Sequence, residues 1–138
     1  MTKKIGRRSV FGLAPAFLFP AMASAGRIPN ETKDAAKGKV TKEPFGDIRI
    51  YWEGSTDQIA SMTAGSLRLK PGMSPHAPHT HPEEEFMVIT EGTGDITVEG
   101  KVTKAGPGTM MYCAANKSHG ILNTGKIPLL FYFYKWKV

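Results

Sequence analysis

Punctuation is what most restricts the fold of this chain. From Phe45 onward it is a run of short segments divided by glycine- and proline-rich reversals. No stretch of ten or more residues there carries the apolar repeat of an amphipathic helix. Ile48, Ile50 and Trp52 alternate with Arg49 and Tyr51, the period of a strand whose successive side chains leave opposite faces. Further strand-like segments cover 59–63, 66–70, 86–90, 95–98, 101–103, 110–113, 119–123 and 129–136. Pro71-Gly72, Gly92-Thr93-Gly94 and Gly106-Pro107-Gly108 mark reversals between them. Glu99-Gly100 has the form of a two-residue hairpin, because glycine accepts positive φ at little steric cost. So many short strands at close spacing predict an all-β domain, a sandwich or a barrel.

The first 25 residues stand apart from that pattern. Lys3, Lys4, Arg7 and Arg8 form a basic head, residues 10–19 are apolar, and Ala23-Ser24-Ala25 supplies small residues at a cleavage position. The apolar stretch is short for a bilayer span and is interrupted by Pro15, with Pro20 at its end. It therefore reads as an export signal over 1–25, removed before Gly26. Arg7-Arg8-Ser9-Val10-Phe11 resembles the twin-arginine signal, a bacterial address for proteins exported already folded, which predicts a periplasmic or secreted protein with no membrane association after cleavage.

Removal of that segment changes the charge balance. Four of the 18 basic residues and none of the 12 acidic ones lie within it, which leaves a net charge of +2 beyond Ala25. No Lys/Arg cluster remains to form a nucleic-acid footprint, so nucleic acid is excluded as a partner. The single cysteine, Cys113, has no intrachain partner. A small domain without disulfides gains from burying more surface in an oligomer, so a homodimer is expected. Residues 26–44 are polar and charged and read as a flexible arm, with the folded domain over 45–138.

Three of the four histidines lie between His76 and His81. On a strand, His79 and His81 project from one face and can lean toward one ion at about 2.0–2.1 Å. Glu85 would sit roughly 13 Å beyond His81 if the strand continued. Pro82 cannot donate to a ladder, so Pro82-Glu83-Glu84 reads as a reversal that returns Glu85, Met87 and Ile89 opposite the histidines. Glu83 and Glu84 then face solvent or the rim. His119, Ile121 and Asn123 share a face of a later strand; Asn123 is expected to orient a ligand or bound water. His76 is out of phase with His79, beside Pro75 and Pro78, and belongs to the rim. Either Tyr112 or Cys113 must line the pocket, and Tyr112 is taken as the pocket residue. Met73, Met87, Met110 and Met111 read as core filler.

These spacings resemble the cupin family. His79-x-His81, three residues, Glu85, six residues and Gly92 match the main part of its first motif, and Gly108, His119, three residues and Asn123 match the outline of its second. The resemblance covers about residues 66–136. It departs from the family at Gly72, one residue further from His79 than usual, and at Ala114 and Asn116, which replace a proline and a glycine. Asn tolerates the left-handed conformation better than most residues, so that turn can survive. The resemblance implies a cupin jelly-roll β-barrel of two antiparallel sheets, with His79, His81, Glu85 and His119 as metal ligands.

Three imidazoles and a carboxylate suit a divalent transition metal: Mn or Fe first if loading precedes export, with Ni, Co, Cu and Zn also compatible. Four protein ligands on an ion that prefers six leave two positions open. The expectation is a metal-dependent enzyme, dioxygenase-like, acting on a small oxygen-bearing organic molecule. Glu85 serves as the catalytic proton acceptor, and Met87, Ile89 and Ile121 form apolar walls. Its alternatives are a cupin isomerase, lyase or decarboxylase, or a non-catalytic binder of a metal and a small ligand.

Overall fold

Nine strands account for most of the residues that the computed structural model describes, 26–138; the expected export signal lies outside them. In chain order they are β1 Lys39–Glu43, β2 Gly46–Gly54, β3 Ser61–Leu69, β4 Glu84–Glu91, β5 Gly94–Val98, β6 Lys101–Ala105, β7 Met110–Cys113, β8 His119–Asn123 and β9 Leu129–Lys137. A single 3-10 turn, Ala35–Lys37, precedes them, and Asp34 caps it by accepting from the Ala36 N–H. None of the described helices is long and apolar enough to cross a membrane.

The strands form two antiparallel sheets, a larger one in the order β1-β2-β3-β9-β4-β7 and a smaller one in the order β6-β5-β8. Their facing sides enclose one core, built on Leu67, Leu69, Met87, Ile89, Ile96, Met111, Ile121, Leu129 and Phe131. Leu69, Ile89 and Leu129 are fully buried, and each such side chain stabilises the fold by about 1.5–3 kcal/mol relative to exposure. The strand pattern predicts a sandwich or a barrel, and the two sheets form the jelly-roll β-barrel that the cupin resemblance implies.

The hairpin between β5 and β6 follows its turn chemistry. Glu99 and Gly100 both have positive φ, 49° and 79°, the two-residue geometry whose twist matches the flanking strands. Asn116 also has positive φ, 60°, so the turn survives where the family pattern has glycine.

Four expectations are corrected. Segments 59–63 and 66–70 are one strand, β3, because Gly65 is an interior position rather than a break. A Cβ there would lie 2.6 Å from the Phe133 ring and 2.7 Å from the Arg49 carbonyl oxygen, so a ring from β9 occupies the space a side chain would need. The alternation in β2 fails at Tyr51: the register shifts between Ile50 and Trp52, which places Trp52 opposite Ala64 on the outer face. The arm over 26–44 is partly strand, since β1 pairs with β2 along its whole length. As an exposed edge strand with a mostly solvated surface, it needs no apolar alternation to mark it. Met110 is 65% exposed, and Met73 is only half-buried, so neither is core filler.

Candidate metal centre

Between β3 and β4, residues 70–83 form no regular strand, yet they run alongside β8. The Gly72 N–H donates to the Asn123 carbonyl, and the Asn123 N–H donates to Met73. Farther along, His79 and His119 exchange both backbone hydrogen bonds, at 2.9 and 3.0 Å. Five residues lie between Met73 and His79, against three between His119 and Asn123, so the loop carries two extra residues between its anchor points. Pro75 and Pro78 lie in that interval and can donate nothing to a ladder. His79 and His81 thus come from an irregular segment rather than a regular strand, which corrects the expected geometry.

From this segment, from the start of β4 and from the start of β8, four side chains meet. Ring centroids lie 5.3 Å apart for His79 and His81, 5.1 Å for His79 and His119, and 4.8 Å for His81 and His119, with planes crossed at 76–86°. Ligand atoms of the three imidazoles all lie within 4.8 Å of one another, a group that could hold a metal ion. Glu85 is buried on the inner face of β4, and its Oε2 lies 2.9 Å from His81 Nε2 and 3.1 Å from His119 Nε2.

The ring partners reveal the electrostatics of this cluster. His81 Nδ1 lies 3.1 Å from the Glu83 carbonyl oxygen, and His119 Nδ1 lies 3.1 Å from that of Lys117. A carbonyl only accepts, so both Nδ1 atoms must carry the proton. A neutral imidazole so arranged has a lone pair on Nε2, and here both Nε2 atoms face the same carboxylate oxygen. Lone pairs aimed at an anion repel unless positive charge lies among them. The donor set therefore fits a cation, either extra protons or a metal ion held by His79, His81, Glu85 and His119.

Ionisation follows the same pattern. Burial alone would raise the pKa of Glu85, but with protons on Nε2 of His119 and His81, hydrogen bonds from those rings outweigh it and hold the carboxyl down at about 2. For His119, burial disfavours the charged ring, while Glu85 and the Lys117 carbonyl overcome that and raise its pKa. His79 is driven down to about 4 by burial and by the neighbouring His76, His119 and His81. It stays neutral and able to donate a lone pair well below neutral pH.

The other candidate residues divide. His76 is half-buried at the rim, stacked on His79 with ring centroids 3.6 Å apart and planes 19° apart. Met87 and Ile121 lie one inward position beyond Glu85 and His119 and form the floor. Ile89 is a further inward position along and belongs to the deep core, not to a pocket wall. Tyr112 is corrected: it is 49% exposed, faces outward and donates to Glu84 at 2.8 Å. Cys113 takes the inward place, paired with Glu85 across β4 and β7. Asn123 is corrected too. Its Nδ2 donates to the Leu69 and Ile127 carbonyls, and its Oδ1 accepts from the Gly125 N–H, so it ties the loop after β8 to β3 at the far end from His119.

Two residues escaped the sequence reading. Glu83 lies at the rim, one of its two expected places, but its role there was missed: its carboxylate and its carbonyl both lie 3.1 Å from His81 Nδ1, so it orients that ring. The reversal at Pro82 marked the turn but not which way this side chain leaves it. Lys135 pairs with Glu85 across β4 and β9 and shares its inward face, and its charge acts on His119. Strand parity counted forward from Phe131 through Phe133 could have found it.

A barrel of two antiparallel sheets, with three imidazoles and a carboxylate gathered at the end of β4 and β8, defines a class of protein. The chain belongs to the cupin family, whose Cupin domain pattern matches residues 65–134. Among solved structures it is similar to a predicted oxalate decarboxylase from Thermotoga maritima, with 19% identity and TM-score 0.64 over 78% of this chain and 100% of that one. It is also similar to a cupin-superfamily sugar phosphate isomerase from Silicibacter pomeroyi, with 16% identity and TM-score 0.62 over 78% and 76% of the two chains. A third similarity is to the polyketide cyclase RemF from Streptomyces resistomycificus, with 16% identity and TM-score 0.59 over 77% and 78%. At these identities the likeness shows the fold alone. No curated protein matches the chain.

Proposed function

We propose that this cupin is an exported metal-dependent enzyme. It takes one divalent transition metal in His79, His81, Glu85 and His119 and acts on a small oxygen-bearing organic molecule, with dioxygenation the first reaction class to test. The observation that carries the reading is the pair of Nε2 atoms, on His81 and His119, both aimed at Glu85 Oε2 while their Nδ1 protons are engaged elsewhere. A bound divalent ion supplies Lewis-acid polarisation of a substrate oxygen and, if redox-active, a site for oxygen chemistry. Glu85 is the carboxylate among the ligands that is placed to accept a substrate proton. Met87 and Ile121 keep water from the floor of the site. Lys135, on the inner face beside Glu85, favours substrates that carry negative charge.

Decarboxylation or isomerisation is the second reading, because structural neighbours are described as a predicted oxalate decarboxylase and a sugar phosphate isomerase. Export in the folded state, after loading in the cytoplasm, favours Mn or Fe over Cu or Zn. Copper or zinc in protein purified from the periplasm would overturn that choice. A homodimer is supported by the outer face of the larger sheet, where Phe86, Met110, Tyr112 and Tyr134 are exposed.

The test is to load the protein with Fe, Mn or Ni and record oxygen uptake and product formation with catechols, flavonols and thiols. Uptake with one of these, lost in His81→Ala, is the expected result. Tight ligand binding with no turnover on any of them would favour a non-catalytic binder instead.

A further inference from the structure

Two of the three imidazoles are held by hydrogen bonds at Nδ1, His81 by Glu83 and His119 by Lys117. Among the described residues His79 has no such hydrogen bond from its ring; its backbone is fixed by the exchange with His119, but that leaves the side-chain torsions free. What lies against the ring is His76, face to face, at 3.6 Å between centroids and 19° between planes. The His76 ring is itself tied down, because its Nδ1 lies 2.9 Å from the Ala77 carbonyl oxygen. Pro75 and Pro78 restrict the backbone on either side of it. The rigid partner that a metal-binding imidazole ordinarily finds in a hydrogen-bond acceptor is here a stacked ring.

We propose that His76 is a positioning residue that aims His79 at the ion by stacking, in place of the missing hydrogen bond. This rests on the metal reading of the site. Two consequences separate stacking from other roles. A flat ring without nitrogen should serve nearly as well as imidazole, whereas removal of the ring should release the His79 torsions. An ion on His79 also draws electron density from that ring, and the face of a neutral aromatic neighbour stabilises the resulting positive charge.

The experiment compares the parent, His76→Phe and His76→Ala, each titrated with Co(II) as the probe metal. Dissociation constants and the visible ligand-field spectrum of the bound ion are recorded, with circular dichroism confirming the fold. His76→Ala should bind Co(II) about tenfold more weakly, the usual scale for losing an orienting partner, with an altered spectrum. His76→Phe should keep the parent spectrum and lie within about threefold of its affinity, a difference under 1 kcal/mol. Equal affinity and spectrum in parent and His76→Ala would overturn the proposal. So would His76→Phe as weak as His76→Ala, since a nitrogen of His76 would then be what matters. His81→Ala is run alongside: if it binds Co(II) as tightly as the parent, the metal reading itself fails, and the stacking proposal with it.

Discussion

His79 and His119 exchange both of their backbone hydrogen bonds, at 2.9 and 3.0 Å. That exchange pins a proline-broken loop to the edge of β8 and sets the spacing of two imidazoles through the main chain. Antiparallel partners joined in this way sit about 5.5 Å apart at Cα, and here their ring centroids lie 5.1 Å apart. The remaining two members, His81 and Glu85, are brought in by the bend at residues 82–83 and the start of β4.

The adjacent glutamates at the end of that bend and the start of β4 should behave oppositely. Glu83 reaches His81 Nδ1, whereas Glu84 begins β4 on its outer face and accepts from Tyr112. Glu83→Ala should weaken metal binding about tenfold, and Glu84→Ala should leave it unchanged within experimental error. Isothermal titration with Mn(II) or Co(II) measures both. Equal losses in the two variants would mean that the loss comes from net charge and not from contact with His81.

Asn123 is a test of structure against function within one strand. It is completely buried and makes three hydrogen bonds, to Leu69, Ile127 and Gly125, at the end of β8 away from the ligands. Asn123→Ala removes these three hydrogen bonds, one of them to the carbonyl of fully buried Leu69, which should cost on the order of 2–4 kcal/mol of folding stability. Metal stoichiometry measured well below the lowered Tm should match the parent. Loss of the metal without a fall in Tm would place Asn123 in the site after all.

How much of this was legible beforehand follows from which physical rule each residue obeys. The inward residues of β4 and β8 were readable because a strand alternates strictly, so Glu85 with Met87, and His119 with Ile121, had to share a face. The Glu99-Gly100 hairpin was readable because its backbone conformation admits few residue types. Tyr112 and Cys113 were not separable, because parity fixes that one points inward without saying which; the choice depends on pairing with Glu85 on a strand remote in sequence. Nor could sequence reveal the role of Asn123, as all three of its partners come from backbone that only the tertiary fold brings together. Segments 59–63 and 66–70 read as separate because the reason for glycine at 65 between them, the Phe133 ring, lies on β9.

Cys113 should be inert in the folded protein. It is 2% exposed, and burial, reinforced by the negative charge of Glu85, raises its pKa, so little thiolate forms at neutral pH. A thiol reagent such as a disulfide dye at pH 7.5 should label it slowly, at a rate set by unfolding, and fast in denaturant. Prompt labelling of the native protein would show that the end of β7 opens on its own.

The metal-free protein should lose stability on mild acidification through His79. Its folded pKa of about 4 lies below the ordinary value of 6.5, so between those limits the unfolded chain binds a proton that the folded one refuses. Stability from this group is present above pH 6.5 and is lost as the pH falls toward 4; His76, pushed down chiefly by its own burial, acts in the same direction. His119 is shifted upward, so its contribution is already complete below pH 6.5 and does not mask the effect. Glu85 loses its contribution only below the ordinary carboxyl value of 4.5, as the pH falls toward about 2. Between pH 6.5 and 4.5 His79 and His76 therefore act together to lower stability. After discounting for solvent screening, His79 should account for on the order of 1–2 kcal/mol of the fall. Urea unfolding at pH 7 and pH 4.5 measures it, and His79→Asn should show a shallower decline than the parent. An equal decline in both proteins would mean that His79 takes up its proton as readily folded as unfolded.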